Sequence, residues 1–314
     1  MTRRIFQLLL LLWPSIACWA QPPALPPLLA PAELSVRLDD AQLRVLDIRD
    51  QGAELARVPG AVSAPYSEWR GPADDPGRLP EPAALTRLLQ QLGIDGTSSV
   101  VVVHEGEDPG DFGAAARVYW TLKTAGIARV AILNGGMTAW LAAGLPTVTG
   151  LLTPAPSRHE VHVETRWLAT RVQVAAAMAA GSPWRLLDAR PAAFFFGERR
   201  HPAARSPGTL IGAMNVEHSV WFVQDSGVLA STEAIRETAR RLGIDPQAPT
   251  VSFCNTGHWA ATQWFVLSEI LGGREVRLYP ESMVDWSRSG GAMANVPSRL
   301  QQFRTQLRAA FSAG

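Results

Sequence analysis

Pro249-Thr250-Val251-Ser252-Phe253-Cys254-Asn255-Thr256-Gly257-His258-Trp259-Ala260 sets a short apolar, β-branched run before a polar turn, and the turn before an amphipathic segment, about Trp259 to Leu271, that ends at Gly272-Gly273. A run of that length, bounded by turn residues, reads as a buried strand. Glycine just past a periodic segment reads as a left-handed helix cap. The expected local unit is therefore a strand-to-helix junction in a parallel α/β sheet, with Cys254 at the carboxyl end of its strand, where ligands bind in such sheets.

The unit occurs twice. Ser99-Val100-Val101-Val102-Val103 precedes the loop His104 to Asp111 and a predicted helix from Ala114 to Ala125, closed by Gly126. Working outward, Arg44-Val45-Leu46-Asp47-Ile48-Arg49 is matched by Arg185-Leu186-Leu187-Asp188-Ala189-Arg190. Val58-Pro59-Gly60-Ala61-Val62 is matched by Ser206-Pro207-Gly208-Thr209-Leu210. Val130-Ala131-Ile132-Leu133 with Gly135-Gly136 and Trp140 is matched by Val276-Arg277-Leu278-Tyr279 with Trp286. Strands alternating with helices in a repeated order predict two α/β domains with parallel sheets.

At 314 residues and 47% hydrophobic, the chain is long enough to bury two substantial cores. The formal net charge of +1 provides no field that would recruit nucleic acid or an anionic membrane. Lys123 is the only lysine, and arginine's planar fork suits small oxyanions. The start, Arg3-Arg4 followed by an apolar run to Ile16 and then Ala17-Cys18-Trp19-Ala20, has the layout of a secretory signal. That run is too short to span a membrane. A periplasmic or secreted protein is expected after cleavage at Ala20, leaving Cys254 as the sole cysteine; lipidation at Cys18 is disfavoured by Ser15 three positions earlier. The expected division is signal peptide 1–20, Pro-rich linker 21–31, first domain 32–149, linker 150–160, second domain 161–297 and a helical tail 298–314.

The order Leu-Asp-x-Arg, Pro-Gly, strand, active loop, helix and Gly-Gly-x-x-x-Trp resembles the rhodanese family, and its two copies resemble the tandem thiosulfate and 3-mercaptopyruvate sulfurtransferases. The resemblance covers about Glu33 to Pro297. It implies tandem rhodanese-like domains, each a small doubly wound parallel sheet flanked by helices, with a non-catalytic first domain. It also implies transfer of sulfur from a small anionic donor to cyanide, a thiol or a protein through a persulfide on Cys254. Neither metal nor organic cofactor is implied.

Unpaired N–H groups and the positive end of the helix dipole favour a thiolate at Cys254, and the small Thr256 and Gly257 let the loop Asn255 to Trp259 curl around the sulfur. Arg190 stands where the resembling enzymes bind the donor anion, although Asp188 is placed to hold it in a salt bridge. The family's second donor-binding arginine is replaced by Phe194-Phe195-Phe196, and Arg199, Arg200 or Arg205 is a candidate substitute. The family's basic loop residues are also replaced, by Asn255 and His258-Trp259. His258 reads either as a charge or hydrogen-bond donor to the substrate or as a solvent-facing residue at the helix start; Trp259 is expected to pack against the first domain. The first domain's acidic loop, His104-Glu105-Gly106-Glu107-Asp108-Pro109-Gly110-Asp111, disfavours an anion. No histidine spacing suggests a metal site. A cysteine phosphatase is disfavoured because Ala260 stands where the phosphate-holding arginine belongs. A non-catalytic persulfide carrier, docking on another exported protein, is the remaining alternative.

Overall fold

The computed structural model describes residues 25–50, 54–150 and 152–298. The expected signal peptide, Cys18 and nearly all of the tail lie outside the described residues.

The first domain comprises β1 (Leu28–Leu29), α1 (Pro31–Ser35), β2 (Leu43–Asp47), β3 (Ala61–Ser63), α2 (Pro82–Gln91), β4 (Ser99–Val103), α3 (Pro109–Thr124), β5 (Arg129–Leu133) and α4 (Gly136–Ala142). Its parallel sheet has the order β1-β5-β4-β2-β3. The second domain comprises α5 (Arg171–Ala177), β6 (Arg185–Asp188), α6 (Ala192–Phe195), β7 (Thr209–Leu210), β8 (Met214–Asn215), α7 (Thr232–Arg241), β9 (Thr250–Phe253), α8 (Trp259–Phe265), β10 (Val276–Leu278), α9 (Ser282–Arg288) and β11 (Met293–Ala294). Its parallel sheet runs β10-β9-β6-β8, and β7 pairs antiparallel with β11.

The runs read as central strands have buried neighbours on both faces. Val100 and Val102 of β4 join one core cluster and Val101 and Val103 another, the two-residue alternation of a sheet covered on both sides. In the second domain Val251 and Phe253 face the outer cluster with Tyr279, Met283 and Trp286. Cys254 joins the large cluster shared by both domains. That shared cluster is built mainly by α3 against α8. Phe112 and Tyr119 meet Phe265 edge-on with ring centres 5.6 and 4.9 Å apart, and the Tyr119 hydroxyl donates to Glu269 at 2.6 Å. Trp120, Trp140, Trp264 and Trp286, at matching places in the repeat, are all buried.

Three sequence expectations need correction. The stretch 21–31 is not linker throughout: Leu28 and Leu29 pair in parallel with Ile132 and Leu133, and Leu29 is fully buried. Prolines flank this strand at the sheet edge, where a missing N–H costs little. The helix predicted from Ala114 begins at Pro109, because the Asp108 carboxylate accepts from the N–H groups of Gly110 and Asp111 at 2.6 and 3.1 Å and proline suits the first helical position. Asp111 completes the cap by accepting from the Glu107 N–H at 2.9 Å. The helix predicted from Trp259 to Leu271 is α-helical only to Phe265 and continues as a wider π turn over Val266–Ile270. Gly272 after it is left-handed, as predicted, with φ 72°.

Candidate active site

Cys254 follows the last residue of β9 and is 1% exposed. Its own N–H donates to Ser282 Oγ at 3.0 Å, and that hydroxyl donates onward to the Tyr279 carbonyl at 2.7 Å. The Cys254 and Asn255 carbonyls accept from Met283 and Val284 at the start of α9. Ser282 takes a left-handed φ of 54°, a conformation unusual for a side-chain-bearing residue, with its hydroxyl held between Cys254 and Tyr279. By contrast, among the described residues no protein acceptor meets the N–H groups of Asn255, Thr256, Gly257 or His258. Successive N–H groups without a protein acceptor, next in the chain to a buried cysteine, are the donors from which an anion nest is built.

Most of the predicted site residues do belong to this loop, but their partners differ from expectation. Arg190 is 2% exposed and held in a fork by Asp188, with Nε to Oδ1 at 2.8 Å and Nη2 to Oδ2 at 2.5 Å. It also donates to the Gly208 carbonyl at 2.8 Å and to Asn255 Oδ1 at 3.3 Å. Its donors therefore tie the Asp188 loop to the active loop. Arg49 and Asp47 repeat the fork in the first domain, with Arg57 as a further partner of Asp47. Arg199, Arg200 and Arg205 are exposed. Arg199 lies over the Phe194 ring, whose edge meets Trp259, whereas Arg200 turns back to the Ala204 carbonyl. Arg205 lines a separate pocket with Ser287 and Gly291.

Trp259 packs against the core cluster shared by the two domains and meets Phe194 edge-on. It stacks on His218 of its own domain, ring centres 4.9 Å apart and nearly parallel, because the chain after β8 folds back over the helix start. His258 takes the interdomain position. Its Nδ1 meets the Tyr66 hydroxyl at 2.9 Å and its Nε2 meets the Gly110 carbonyl at 2.8 Å. A carbonyl only accepts, so Nε2 carries the proton and Nδ1 receives the tyrosine hydrogen. Burial first, then the field of Arg70, pushes His258 down to about 3. His258 is therefore neutral and locked between domains, neither solvent-facing nor a cation tuned to neutral pH.

Burial also holds His104 and His218 down at about 4. All three histidines fold in the neutral form and have unfolded values near about 6.5. Below that value the unfolded chain binds more protons, so stability is fully present above about pH 6.5 and is lost as pH falls toward the folded values. The melting temperature is expected to drop by on the order of 10 °C between about pH 7 and 4. The drop should be shallower in His258→Gln; an identical slope in that variant would remove His258 from this account.

Sequence reasoning missed the first domain's contribution to the loop. Arg70 donates to the Thr256 carbonyl and Oγ1 at 3.2 and 2.9 Å, and Tyr66 holds His258. Arg117, inside α3, is fully buried. A Cβ placed on Gly257 would lie 2.4 Å from its Nη1. The available signal was an arginine within the otherwise apolar Ala114-Ala115-Ala116-Arg117-Val118-Tyr119-Trp120.

Among the described residues no helix is long and apolar enough to cross a membrane, and no group of three or more potential ligands is placed to hold a metal. The rhodanese-like domain profile matches residues 30–143 and 171–289. SseB of Mycobacterium tuberculosis, which bears a thiosulfate sulfurtransferase name, is 31% identical over 73% of this chain and 80% of its own. The thiosulfate sulfurtransferase of Gallus gallus is 29% identical over 78% and 86%. The fold of SseA from Escherichia coli, a 3-mercaptopyruvate sulfurtransferase, superposes with a TM-score of 0.70 at 23% identity, covering 82% of this chain and 98% of SseA. With two copies of the domain, a single cysteine among the described residues at the strand-to-helix junction of the second copy, and relatives of that activity along most of its length, the chain belongs to the rhodanese family and is a sulfurtransferase.

Proposed function

We propose that this enzyme moves a sulfane sulfur from thiosulfate or 3-mercaptopyruvate to a thiophilic acceptor through a persulfide on Cys254. The observation carrying this reading is a buried cysteine at the head of a loop in which, among the described residues, four successive N–H groups meet no protein acceptor. The Cys254 thiolate attacks the outer sulfur of the donor. A new S–S bond forms, the bond to the donor breaks, and its electron pair leaves with sulfite or, after protonation, with pyruvate. The free N–H groups hold the charged terminal sulfur until cyanide, a thiol or a protein takes it and the thiolate returns, a ping-pong sequence. Every step uses groups of the chain and the two substrates, without a cofactor. Because the N-terminal stretch reads as a secretory signal, we place this activity in the periplasm or outside the cell.

Intact-mass analysis after incubation with each donor tests the cycle. A gain of about 32 Da with at least one donor, discharged by cyanide, is expected. No gain with either donor would turn the assignment toward a carrier loaded by another protein.

A further inference from the structure

The positive charges meeting the active loop are unequal. Arg190 is neutralised by Asp188. Arg70 is bound to loop and turn oxygens, Thr256 and Pro76. His258 is neutral, and the loop itself carries no other cation. Arg117 differs from all of these. Its Nη2 donates to the Gly77 carbonyl at 2.8 Å, and its guanidinium lies 5.1 Å from the Trp120 ring centre. Its Nε and Nη1 have no hydrogen-bond partner, although the residue is fully buried. No carboxylate forms an ion pair with it among the described residues.

An unpaired guanidinium is costly to bury, so its position calls for an anion. Nη1 points at the one place in the loop where a side chain is absent: with Gly257 in a left-handed turn, φ 72°, the guanidinium comes against the loop backbone. The charged and titratable groups whose fields reach Arg117 are Tyr66, Arg70, Glu281 and Cys254. Tyr66 is half-buried with its phenol pushed up by desolvation, Arg70 repels, and burial pushes Glu281 upward. Cys254 begins the active loop that Nη1 faces, three residues before Gly257.

We propose that Arg117, carried by the domain that lacks the cysteine, is the standing counter-charge for the sulfur anion on Cys254: the thiolate in the resting enzyme and the persulfide in the loaded one. The persulfide half rests on the sulfur-transfer reading above; the thiolate half does not. Arg117 is thus a positioning residue acting through the loop, and the first domain completes the electrostatics of a site whose nucleophile lies in the second.

The test needs no sulfur donor, so its failure is separable from failure of the transfer reading. Alkylation of Cys254 by iodoacetamide is followed by peptide mass in the reduced full chain, in Arg117→Met and in Arg117→Lys. At about pH 6.5 Arg117→Met is expected to react at least about tenfold more slowly than wild type, and at about pH 9.5 within about threefold of it, because only the thiolate reacts. Arg117→Lys should stay within about threefold at both. A folded Arg117→Met that matches wild type at the lower pH, or that is slowed equally at both, overturns the proposal. Should Arg117→Met not fold, or wild type resist the reagent, melting temperatures of wild type and Cys254→Ser decide. Loss of the counter-anion predicts a wild-type advantage that widens by several degrees from about pH 6 to 9, and a constant difference overturns the proposal.

Discussion

Cys254→Ser is expected to reduce sulfur loading and turnover by at least about a thousandfold while leaving the fold intact, because oxygen is a far weaker nucleophile than sulfur toward a sulfane sulfur and forms no persulfide. The substitution is nearly isosteric at a site that is 1% exposed, and it leaves the Cys254 N–H to Ser282 bond in place. Circular dichroism should therefore match wild type while the mass gain disappears. Residual loading within tenfold of wild type would show that the sulfur travels by another group. Loss of the native spectrum would instead show that Cys254 is part of the core and nothing more.

Gly257→Ala is expected to be the most damaging single-carbon change in the loop. An added Cβ would lie 2.4 Å from Arg117 Nη1, 2.5 Å from the Pro280 carbonyl oxygen and 2.9 Å from Pro280 Cα. Arginine's tip can shift, but the Pro280 backbone is fixed by the turn that leads into Ser282. The left-handed conformation costs about 1–2 kcal/mol for an L-residue, and overpacking adds about 1–3 kcal/mol. Together these should lower the melting temperature by on the order of 5–10 °C and loading by at least about tenfold. Gly243→Ala separates the two terms, since Gly243 is also left-handed, φ 67°, with nothing within 4 Å of an added Cβ. It should show the conformational cost alone and full loading. Equal losses in the two variants would mean that the space at Gly257 has no particular role.

These expectations change the part assigned to the first domain. A non-catalytic domain could contribute shape alone, whereas Tyr66, Arg70 and Arg117 come against the active loop or its histidine. The acidic stretch after β4, which disfavours an anion in this domain's own loop, instead caps α3. That cap starts the helix carrying Arg117. A degenerate active loop in one copy thus helps to place a cation at the functional loop of the other.

Two findings show how far local reading reaches into the site. The Asp-x-Arg pairs are legible because two residues of separation place both side chains on one turn, and both forks are present. The same pairing explains why Arg190 is a poor free donor for a substrate: its N–H groups already meet Asp188, Gly208 and Asn255. His258 and Trp259 were legible as chemically capable residues but not as to which neighbour each would meet. Their partners, Tyr66 and Gly110 for one and His218 for the other, come from distant segments.

By itself the sequence determined the repeated strand-loop-helix order, the parallel sheets and the placing of Cys254 at a strand's end. Each follows from side-chain periodicity, turn residues and caps acting over a few positions. It also contained the two buried forks and the glycine that closes each active-loop helix. Only the tertiary structure decided that Leu28 and Leu29 complete the first sheet, that His258 is neutral and that Arg117 reaches the active loop. The physical reason is that these partners come from distant segments: β1 meets β5, and the partners of His258 and Arg117 depend on how α3 packs against α8. That packing joins residues far apart in the chain, so no local spacing encodes which cation meets which loop.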